Sequence, residues 1–234
     1  MALVTRATTP LPPAEHKAEA VEAMFDRIAP RYDRLNRLLT FGLDVGWRRR
    51  TVRDLRLPAG SRVVDVACGT GDLCRDLLKG GYRAIGADFS AGMLASARTV
   101  APLLRADALQ LPVADGSVDG ITCGFALRNF TSLDGFVAES ARALRTGGRV
   151  AFVDVAEPEN AILRAGHHFY FRRVVPFVGG VLSDRAAYAY LPASTAYLPG
   201  PDALLALLQE HGFVDVARVT LGLGAAQLLT GTRG

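Results

Sequence analysis

Three aspartates and two glycines stand at spacings that could hold a small charged molecule. Asp65 lies in the stretch VVDVACGTGDL, four residues before Gly69, and Asp88 follows seventeen residues after Gly71 in GADFS. Asp107 lies in the later stretch RADALQLP. Each aspartate comes at or near the end of a short apolar run that is typical of a buried strand. Because an open parallel sheet binds ligands at the carboxyl ends of its strands, we expect the three carboxylates to face one ligand.

The turn CGTGDL predicts a loop that holds a cofactor. Gly69 and Gly71 allow positive φ and a close approach of the backbone, and the helix that follows presents its N-terminal amides. The dinucleotide fingerprint requires a third glycine where this chain has Cys74, so NAD is not expected. Asp65 would repel a pyrophosphate but attract a cation, and an amino group together with a sulfonium fits S-adenosylmethionine. An ordinary strand-to-helix turn is the alternative interpretation of the two glycines.

The two later aspartates extend this cofactor hypothesis. Asp88 is placed to accept hydrogen bonds from both ribose hydroxyls. Asp107 and the amide of Ala108 are placed to bind an adenine edge. The alternative for Asp88 is a helix N-cap near Gly92, although Ser90 stands at the better position for that cap. Acidic residues after three successive strands favour the cofactor.

Composition limits the classes of protein that fit. The chain has 234 residues, 50% of them hydrophobic, which is enough for one sizeable core. Its net charge of +4 is spread along the sequence, so charge alone does not indicate a nucleic-acid partner. The three cysteines lack metal-type spacing, which fits a reduced cytoplasmic setting without a metal site. No apolar run is long enough to span a membrane, and residues 1–14 predict a flexible tail before a single domain over residues 15–234.

Alternation of strands and helices predicts the α/β class. Short runs rich in Val, Ile and Ala, such as RVVDVA, YRAIGAD, LLRAD, VDGITCGF and GRVAFVDV, alternate with helical segments. This pattern predicts a parallel sheet with helices on both faces. The segment FVDVARVTLGLGAAQLLTGTR predicts a closing hairpin. The predicted helices cover residues 71–79, 92–99, 133–144 and 201–211.

Two further segments would shape a pocket above that sheet. Over residues 15–50, apolar side chains recur at helical spacing, which predicts a helical cap that Pro30 must break in two. Residues 156–200 are too long for a plain connection and predict a substrate lid.

Three sequence segments resemble one enzyme family. MFDRIAPRYDRLNRLLTFGLDVGWRR, GFALRNF and AYAYLPAS look like the signatures of the demethylmenaquinone and ubiquinone-precursor C-methyltransferases, which are class I S-adenosylmethionine-dependent methyltransferases. The resemblance covers residue 21 to the C-terminus. It implies a Rossmann-like fold with a seven-stranded, mostly parallel sheet that ends in an antiparallel hairpin. It also implies a cytoplasmic enzyme of menaquinone or ubiquinone biosynthesis that methylates a ring carbon of a prenylated hydroquinone. The acceptor that we expect is demethylmenaquinol.

The cofactor contacts expected from the residues and from the resemblance form one set, namely Tyr32, Asp65, Gly69, Thr70, Gly71, Asp88, Phe89, Asp107, Ala108 and Gly124. The family often has serine where this chain has Gly124. It usually has FGLRN and EFS where this chain has FALRN and DVA. Ala126 and Asp154 therefore leave the ring substrate open, and a small phenolic or polyketide-type metabolite is the alternative acceptor.

The expected catalytic residues are Arg128, Asn129 and Tyr190. A phenol titrates near ~10, so holding it as a phenolate at neutral pH costs about 4 kcal/mol. We expect the Arg128 cation to offset much of this cost by stabilising the phenolate. Asn129 is expected to be a neutral hydrogen-bond donor, and Tyr190 is expected to lie in the ring pocket. The alternative for Arg128 is an ion pair with Asp134 or Asp154 on the domain surface.

Several questions stay open at the level of sequence. The proton acceptor is His167, His168, Asp154 or a water, and Tyr188 is either a pocket residue or core. The stretch HFYFRRVVPFVGGVL fits peripheral contact with the inner face of a membrane, or a simple lid helix. A homodimer and a cofactor-binding subunit without transferase activity are also open. Nucleic acid is not an expected partner, because strand four lacks the proline-aromatic motif of base methylation.

Overall fold

Seven strands form one sheet in the computed structural model, which describes residues 16–234. The expected tail over residues 1–14 lies outside the described residues. The strands are β1 (Arg62–Val66), β2 (Arg83–Asp88), β3 (Leu103–Arg105), β4 (Val118–Gly124), β5 (Leu144–Val155), β6 (Phe213–Leu221) and β7 (Ala226–Arg233).

Their order across the sheet is β3-β2-β1-β4-β5-β7-β6. Strands β1 to β5 run parallel to one another, whereas β7 is antiparallel to both β5 and β6. The predicted parallel sheet with a closing hairpin is confirmed.

The α-helices of the described region are α1 (Lys17–Ile28), α2 (Tyr32–Leu39), α3 (Leu43–Asp54), α4 (Asp72–Lys79), α5 (Ala91–Ala95), α6 (Leu133–Ala143), α7 (Ala161–Phe169), α8 (Val175–Leu182), α9 (Arg185–Ser194) and α10 (Pro201–Glu210). Helices cover both faces of the sheet, because alternate strand residues point to opposite sides. Val63 and Val153 pack in a cluster with residues of α3 and α4. Val64 and Phe152 pack in another cluster with residues of α6 and α10.

The helix that follows β2 is shorter than predicted. It spans Ala91–Ala95 and not residues 92–99. The chain leaves the helix there, and the amide of Arg98 donates a 3.0 Å hydrogen bond to the Thr70 carbonyl. The segment that was expected to be helical thus supports the glycine turn after β1.

The stretch RTGG, residues 145–148, follows the predicted helix over residues 133–144 and belongs to β5. Helix α6 ends at Ala143, and Leu144 already pairs with Val118 of β4. The register then shifts before Gly120, and Gly147 has a φ of +75°. Gly147 therefore permits a bulge within a long strand. In the sequence alone, this glycine pair looks like a turn.

The cap and the lid meet in one apolar cluster, which includes Met24, Val175 and Tyr188. As predicted, the helical run of the cap breaks at Pro30, where a 3₁₀ turn (Ala29–Arg31) separates α1 from α2. The lid consists of α7, a π-helical turn and α8 and α9. Both segments lie above the sheet and can shape a pocket between them.

Candidate active site

A cavity at the carboxyl ends of β1, β2 and β4 brings most of the predicted cofactor residues together. Nine of the ten line its wall, namely Tyr32, Asp65, Gly69, Thr70, Asp88, Phe89, Asp107, Ala108 and Gly124. Gly71 is outside the lining and lies directly before α4. Helix α1 covers the cavity with residues that include Val21 and Phe25.

The glycine turn has the conformation that its sequence predicts. Gly69 and Gly71 have φ values of +56° and +82°. A Cβ on Gly71 would lie 2.6 Å from Cγ2 of Thr99, which leaves no space for a side chain. The turn therefore needs glycine at position 71, and it presents backbone to the cavity as a nucleotide-like cofactor requires.

Asp88 faces the cavity and holds the glycine turn against β2. One oxygen accepts a 2.7 Å hydrogen bond from the amide of Gly69, and the other accepts a 2.8 Å bond from the amide of Ser90. The cap of α5 is the Ser90 hydroxyl, which accepts from the amide of Met93, so Asp88 is not the N-cap. Burial raises the pKa of Asp88 above its ordinary value.

Asp65 is a buried carboxylate with neutral partners. The Thr122 hydroxyl donates to it at 2.8 Å, and the Cys74 thiol donates at 3.4 Å. Burial raises the pKa of Asp65 to about 7. A cationic ligand beside this carboxylate would stabilise its ionised form.

The cavity is lined by two chemically different groups of residues. The apolar group comes from α1 and from the segments that follow β3 and β4, and consists mainly of Ala18, Val21, Phe25, Leu109 and Phe130. The carboxylates come from α2, α3, β1 and the start of α4, and include Asp33, Asp44, Asp65 and Asp72. Such a cavity suits a ligand that is an aromatic base at one end and a cationic amino acid at the other.

Arg48 is a cavity residue that sequence reasoning missed. Its side chain is 10% exposed, and it forms ion pairs with Asp44 at 2.5 Å and Asp72 at 3.0 Å. Its Nε atom lies 3.4 Å from a carboxylate oxygen of Asp76, which makes a third ion pair, although the two atoms do not form a hydrogen bond. The four-residue spacing from Asp44 to Arg48 on α3 indicates the first ion pair, but the sequence does not show that α3 reaches the cavity.

Lys17 is a second residue that the sequence did not reveal. Its Nζ donates to the carbonyl oxygens of Arg128 at 3.0 Å and Phe130 at 2.7 Å, and lies 3.9 Å from the centre of the Tyr197 ring. At the far end of the same helix, Asp26 accepts from Ser90 and Gly92. Hydrogen bonds therefore hold α1 in place on both sides of the cavity that it covers.

The predicted catalytic residue Arg128 is buried and does not line the cavity. It forms an ion pair through Nη1 with Asp154, while Nε donates to the Ser194 hydroxyl at 3.1 Å and Nη1 to the Phe125 carbonyl at 2.8 Å. Asp134 contacts His211 at 2.8 Å. The ion pair considered as an alternative is therefore present with Asp154, but in the interior.

The structure places Asn129 and Tyr190 together. Asn129 lines the cavity, and the Tyr190 hydroxyl donates to its side-chain oxygen at 3.3 Å. Burial raises the pKa of Tyr190 to about 12, so the hydroxyl stays protonated. Tyr188 is 1% exposed and packs so tightly that a Cβ on Gly179 would overlap its ring, which indicates a core role.

Comparison with known proteins gives the family. The ubiE/COQ5 methyltransferase family matches residues 14–233. The chain belongs to this family. It is 43% identical to the demethylmenaquinone methyltransferase of Roseiflexus sp. strain RS-1, over 97% of this chain and 98% of the relative. It is 36% identical to the ubiquinone/menaquinone biosynthesis C-methyltransferase UbiE of Geobacter sulfurreducens, over 93% of this chain and 90% of that protein.

Solved structures support the fold of a ubiE/COQ5 member. A SAM-dependent methyltransferase from Thermotoga maritima aligns with a TM-score of 0.66 at 20% identity, over 91% of this chain and 99% of that one. Phosphoethanolamine N-methyltransferase 2 of Haemonchus contortus, in complex with S-adenosyl-L-methionine, aligns with a TM-score of 0.60 at 14% identity, over 80% and 52%. The chain is an S-adenosylmethionine-dependent methyltransferase, and its glycine turn and carboxylates fit that cofactor.

Proposed function

We propose that this methyltransferase methylates a ring carbon of a prenylated hydroquinone, with demethylmenaquinol as acceptor and menaquinol as product. The names of the relatives support this acceptor. The observation that carries the proposal is an anionic, glycine-lined cavity whose wall includes Asn129, next to the buried cation of Arg128.

The two groups of lining residues would give the cofactor one orientation. The adenine would lie near Ala108, Asp88 would bind the ribose hydroxyls, and the amino-acid part would lie among the carboxylates around Asp65. Arg48 lines the cavity beside these carboxylates and would bind the carboxylate of the cofactor.

Arg48→Gln tests this orientation. We expect S-adenosylhomocysteine to bind on the order of tenfold more weakly and 5′-methylthioadenosine, which lacks the amino-acid part, to bind as it does to the wild type. Comparing two ligands on one variant cancels any general loosening of the fold. Equal weakening of both ligands would show that Arg48 acts only on the structure.

Methyl transfer requires an electron-rich ring. When bound, S-adenosylmethionine supplies an electrophilic methyl group, whose S–C bond breaks with both electrons left on sulfur as the ring carbon forms the new C–C bond. The ring carbon then passes its proton to a water molecule, which restores aromaticity. The protein has to hold the acceptor as a phenolate beside the cofactor.

Arg128 stabilises that phenolate electrostatically. Burial raises the pKa of Tyr32 and of Tyr190, and in both cases the positive charge of Arg128 opposes the rise. The charge of Arg128 therefore favours the ionised form of two phenol groups, and one of them, Tyr32, lines the cofactor cavity. A guanidinium stays protonated at all working pH values, so it acts as a fixed charge and not as a base.

The direct test is a product assay. The protein is incubated with labelled S-adenosylmethionine and a panel of reduced acceptors, namely a short-tailed demethylmenaquinol, a prenylated benzoquinol and a tailless phenol. We expect demethylmenaquinol to be methylated on carbon with the highest kcat/KM. Turnover of the tailless phenol alone would establish the small-metabolite alternative.

An exposed apolar surface suits an acceptor with a lipid tail. The surface comprises Phe41 on the α2–α3 corner together with Phe169, Phe177 and Val181 of the lid, which are 66% to 77% exposed. The ring of Phe41 lies 5.8 Å from that of Tyr170, which joins the two segments. Among residues 16–234, no helix is both long and apolar enough to cross a bilayer.

This surface binds the membrane peripherally, at the inner face, and the exposed Arg172 and Arg173 between its apolar groups favour anionic lipid. In a vesicle pelleting assay, Phe41→Ser and Phe177→Ser are expected to release the protein from phosphatidylglycerol vesicles. Val100→Ser, at an exposed valine outside this surface, is the matched control. Equal binding by all three variants would contradict this role.

A further inference from the structure

A second cavity lies between the lid and the edge of the sheet. Val155 and Ala156 bring the end of β5 to it, and His167 and Phe171 bring the lid helix α7 and the turn that follows. This cavity shares no lining residue with the cofactor cavity. The cofactor hypothesis does not explain it.

The buried ion pair belongs to a wall of residues that connects the linings of the two cavities. Nη1 of Arg128 donates to the carbonyl of Phe125, which lines the cofactor cavity. Asp154, its ion-pair partner, directly precedes Val155, which lines the second cavity. Arg128, Asp154 and their partner Ser194 form this wall.

Ser194 marks the lid side of this wall. Pro192 and Thr195, which flank it in the chain, both line the second cavity. The Ser194 hydroxyl accepts from Nε of Arg128, so the lid is bonded to the wall at this point.

The second cavity carries the groups that an aromatic diol needs. The rings of His167 and Phe171 lie 4.5 Å apart, and they form an aromatic surface. Neither ring nitrogen of His167 has a hydrogen-bond partner among the described residues, whereas His168 is bound to Glu157 at 2.9 Å. Burial lowers the pKa of His167, so its ring is neutral and offers one donor and one acceptor.

An unsatisfied oxygen lies in the wall itself. Oδ2 of Asp154 is buried without a hydrogen-bond partner in the described part of the chain, and the residue is 0% exposed. A buried carboxylate oxygen without a partner is unfavourable, and a hydroxyl donor that reached it would relieve the cost. A hydroquinone carries such donors on both sides of its ring.

We propose that the second cavity binds the ring of the hydroquinone acceptor, and that the Arg128–Asp154 ion pair is the gate through which the ring reaches the cofactor. The inference rests on the proposed function and assigns the acceptor a site of its own. The ring lies on His167 and Phe171, and its hydroxyl takes the place of the Ser194 hydroxyl beside Arg128. The apolar surface of the lid, which begins at Phe169 on the same helix, receives the tail.

Gly200 offers a way to block the second cavity. It lines this cavity, and a Cβ added there meets nothing within 4 Å, so the backbone accepts a side chain and the ring of Gly200→Phe would occupy part of the cavity. Phe171→Ala removes aromatic surface from the same site. Gly166→Phe is the matched control, because Gly166 lies on α7 with equally open space but outside both cavities.

The measurement is the affinity for 2-geranyl-1,4-naphthoquinol, kept reduced and titrated into protein saturated with S-adenosylhomocysteine. Isothermal titration calorimetry gives the affinity without a reporter group in either cavity. We expect Gly200→Phe and Phe171→Ala to weaken quinol binding about tenfold or more. Gly166→Phe should bind as the wild type does, and all variants should keep their affinity for S-adenosylhomocysteine.

Unchanged quinol affinity in both cavity variants would overturn the inference. A parallel loss of S-adenosylhomocysteine affinity would also overturn it, because such a loss would place the effect of the substitutions in the cofactor cavity. Failure of the proposed function looks different. In that case the wild type does not methylate the quinol in the product assay, whatever the binding titration shows.

Discussion

The guanidinium of Arg128 and the carboxylate of Asp154 form an ion pair that is 5% and 0% exposed. The pair joins the segment after β4 to the end of β5, and the lid is bonded to it through Ser194. A buried pair of this kind contributes little net stability, but the loss of one partner leaves an uncompensated charge. Its position beside Asn129 therefore indicates a functional role more than a stabilising one.

The energetic consequence is testable by a double-mutant cycle. We expect Arg128→Leu alone to lower the free energy of unfolding by about 3 to 5 kcal/mol, because Asp154 then stays buried without a partner. The double variant Arg128→Leu/Asp154→Leu should return to within about 1 kcal/mol of the wild type. Urea unfolding, monitored for all variants at one pH, gives these values.

The double variant also isolates the chemistry. Because it restores the fold without the cation, it should keep its affinity for S-adenosylhomocysteine and lose kcat by about 100-fold or more. A double variant with wild-type kcat would show that Arg128 does not stabilise the phenolate, and would leave the pair a purely structural role.

A second prediction concerns Asp65, whose pKa burial raises to about 7. Between the ordinary carboxyl pKa and this value, the folded protein holds a proton that the unfolded chain has lost. The free energy of unfolding should therefore fall as pH rises from 5 to 7, with a slope of at most about 1.4 kcal/mol per pH unit from this group. Asp65→Asn, which cannot ionise, should remove that part of the slope.

The same titration should appear in cofactor binding. The affinity for S-adenosylmethionine, a cation at sulfur and nitrogen, should increase with pH up to about 7 as Asp65 ionises. Uncharged 5′-methylthioadenosine should show no such increase, which makes it the control ligand. Parallel pH profiles for the two ligands in calorimetry would contradict the role given to Asp65.

The parts of the site that follow from the sequence are local in the chain. The glycine turn and Asp88 are defined by short spacings after strands, and a parallel sheet brings strand ends together without further information. Lys17 could not be predicted in this way, because its two acceptors are backbone carbonyls 111 and 113 residues away. For Arg128, sequence left Asp134 and Asp154 open, and the pairing of β4 with β5 decides between them.

A third prediction separates the two kinds of glycine at the site. At Gly71, a φ of +82° and the 2.6 Å approach to Thr99 exclude a side chain, so Gly71→Ala should weaken S-adenosylhomocysteine binding on the order of tenfold or more. At Gly124, a Cβ would meet Leu73 and Val153 at 3.6 and 3.8 Å, which are ordinary contacts. Gly124→Ala is therefore the matched control and should bind the ligand within about twofold of the wild type. Equal losses in both variants would mean that bulk at the cavity, and not backbone conformation, decides the affinity.

The last prediction concerns Lys17, whose hydrogen bonds hold α1 over the cofactor cavity. Lys17→Met removes both hydrogen bonds to the segment after β4, and charge-assisted bonds contribute about 1.5 to 3 kcal/mol each. We expect S-adenosylhomocysteine to dissociate on the order of tenfold faster or more, because the cap opens more readily, while the unfolding midpoint changes less than in Arg128→Leu. The chain has one other lysine, the exposed Lys79, so Lys79→Met is the matched control.

Acylation of the wild type should modify Lys79 readily and Lys17 slowly. Bound ligand should slow the reaction at Lys17 further, because an occupied cavity keeps the cap closed. Rapid modification of Lys17 in the presence of saturating ligand would show that α1 does not control access to the cofactor.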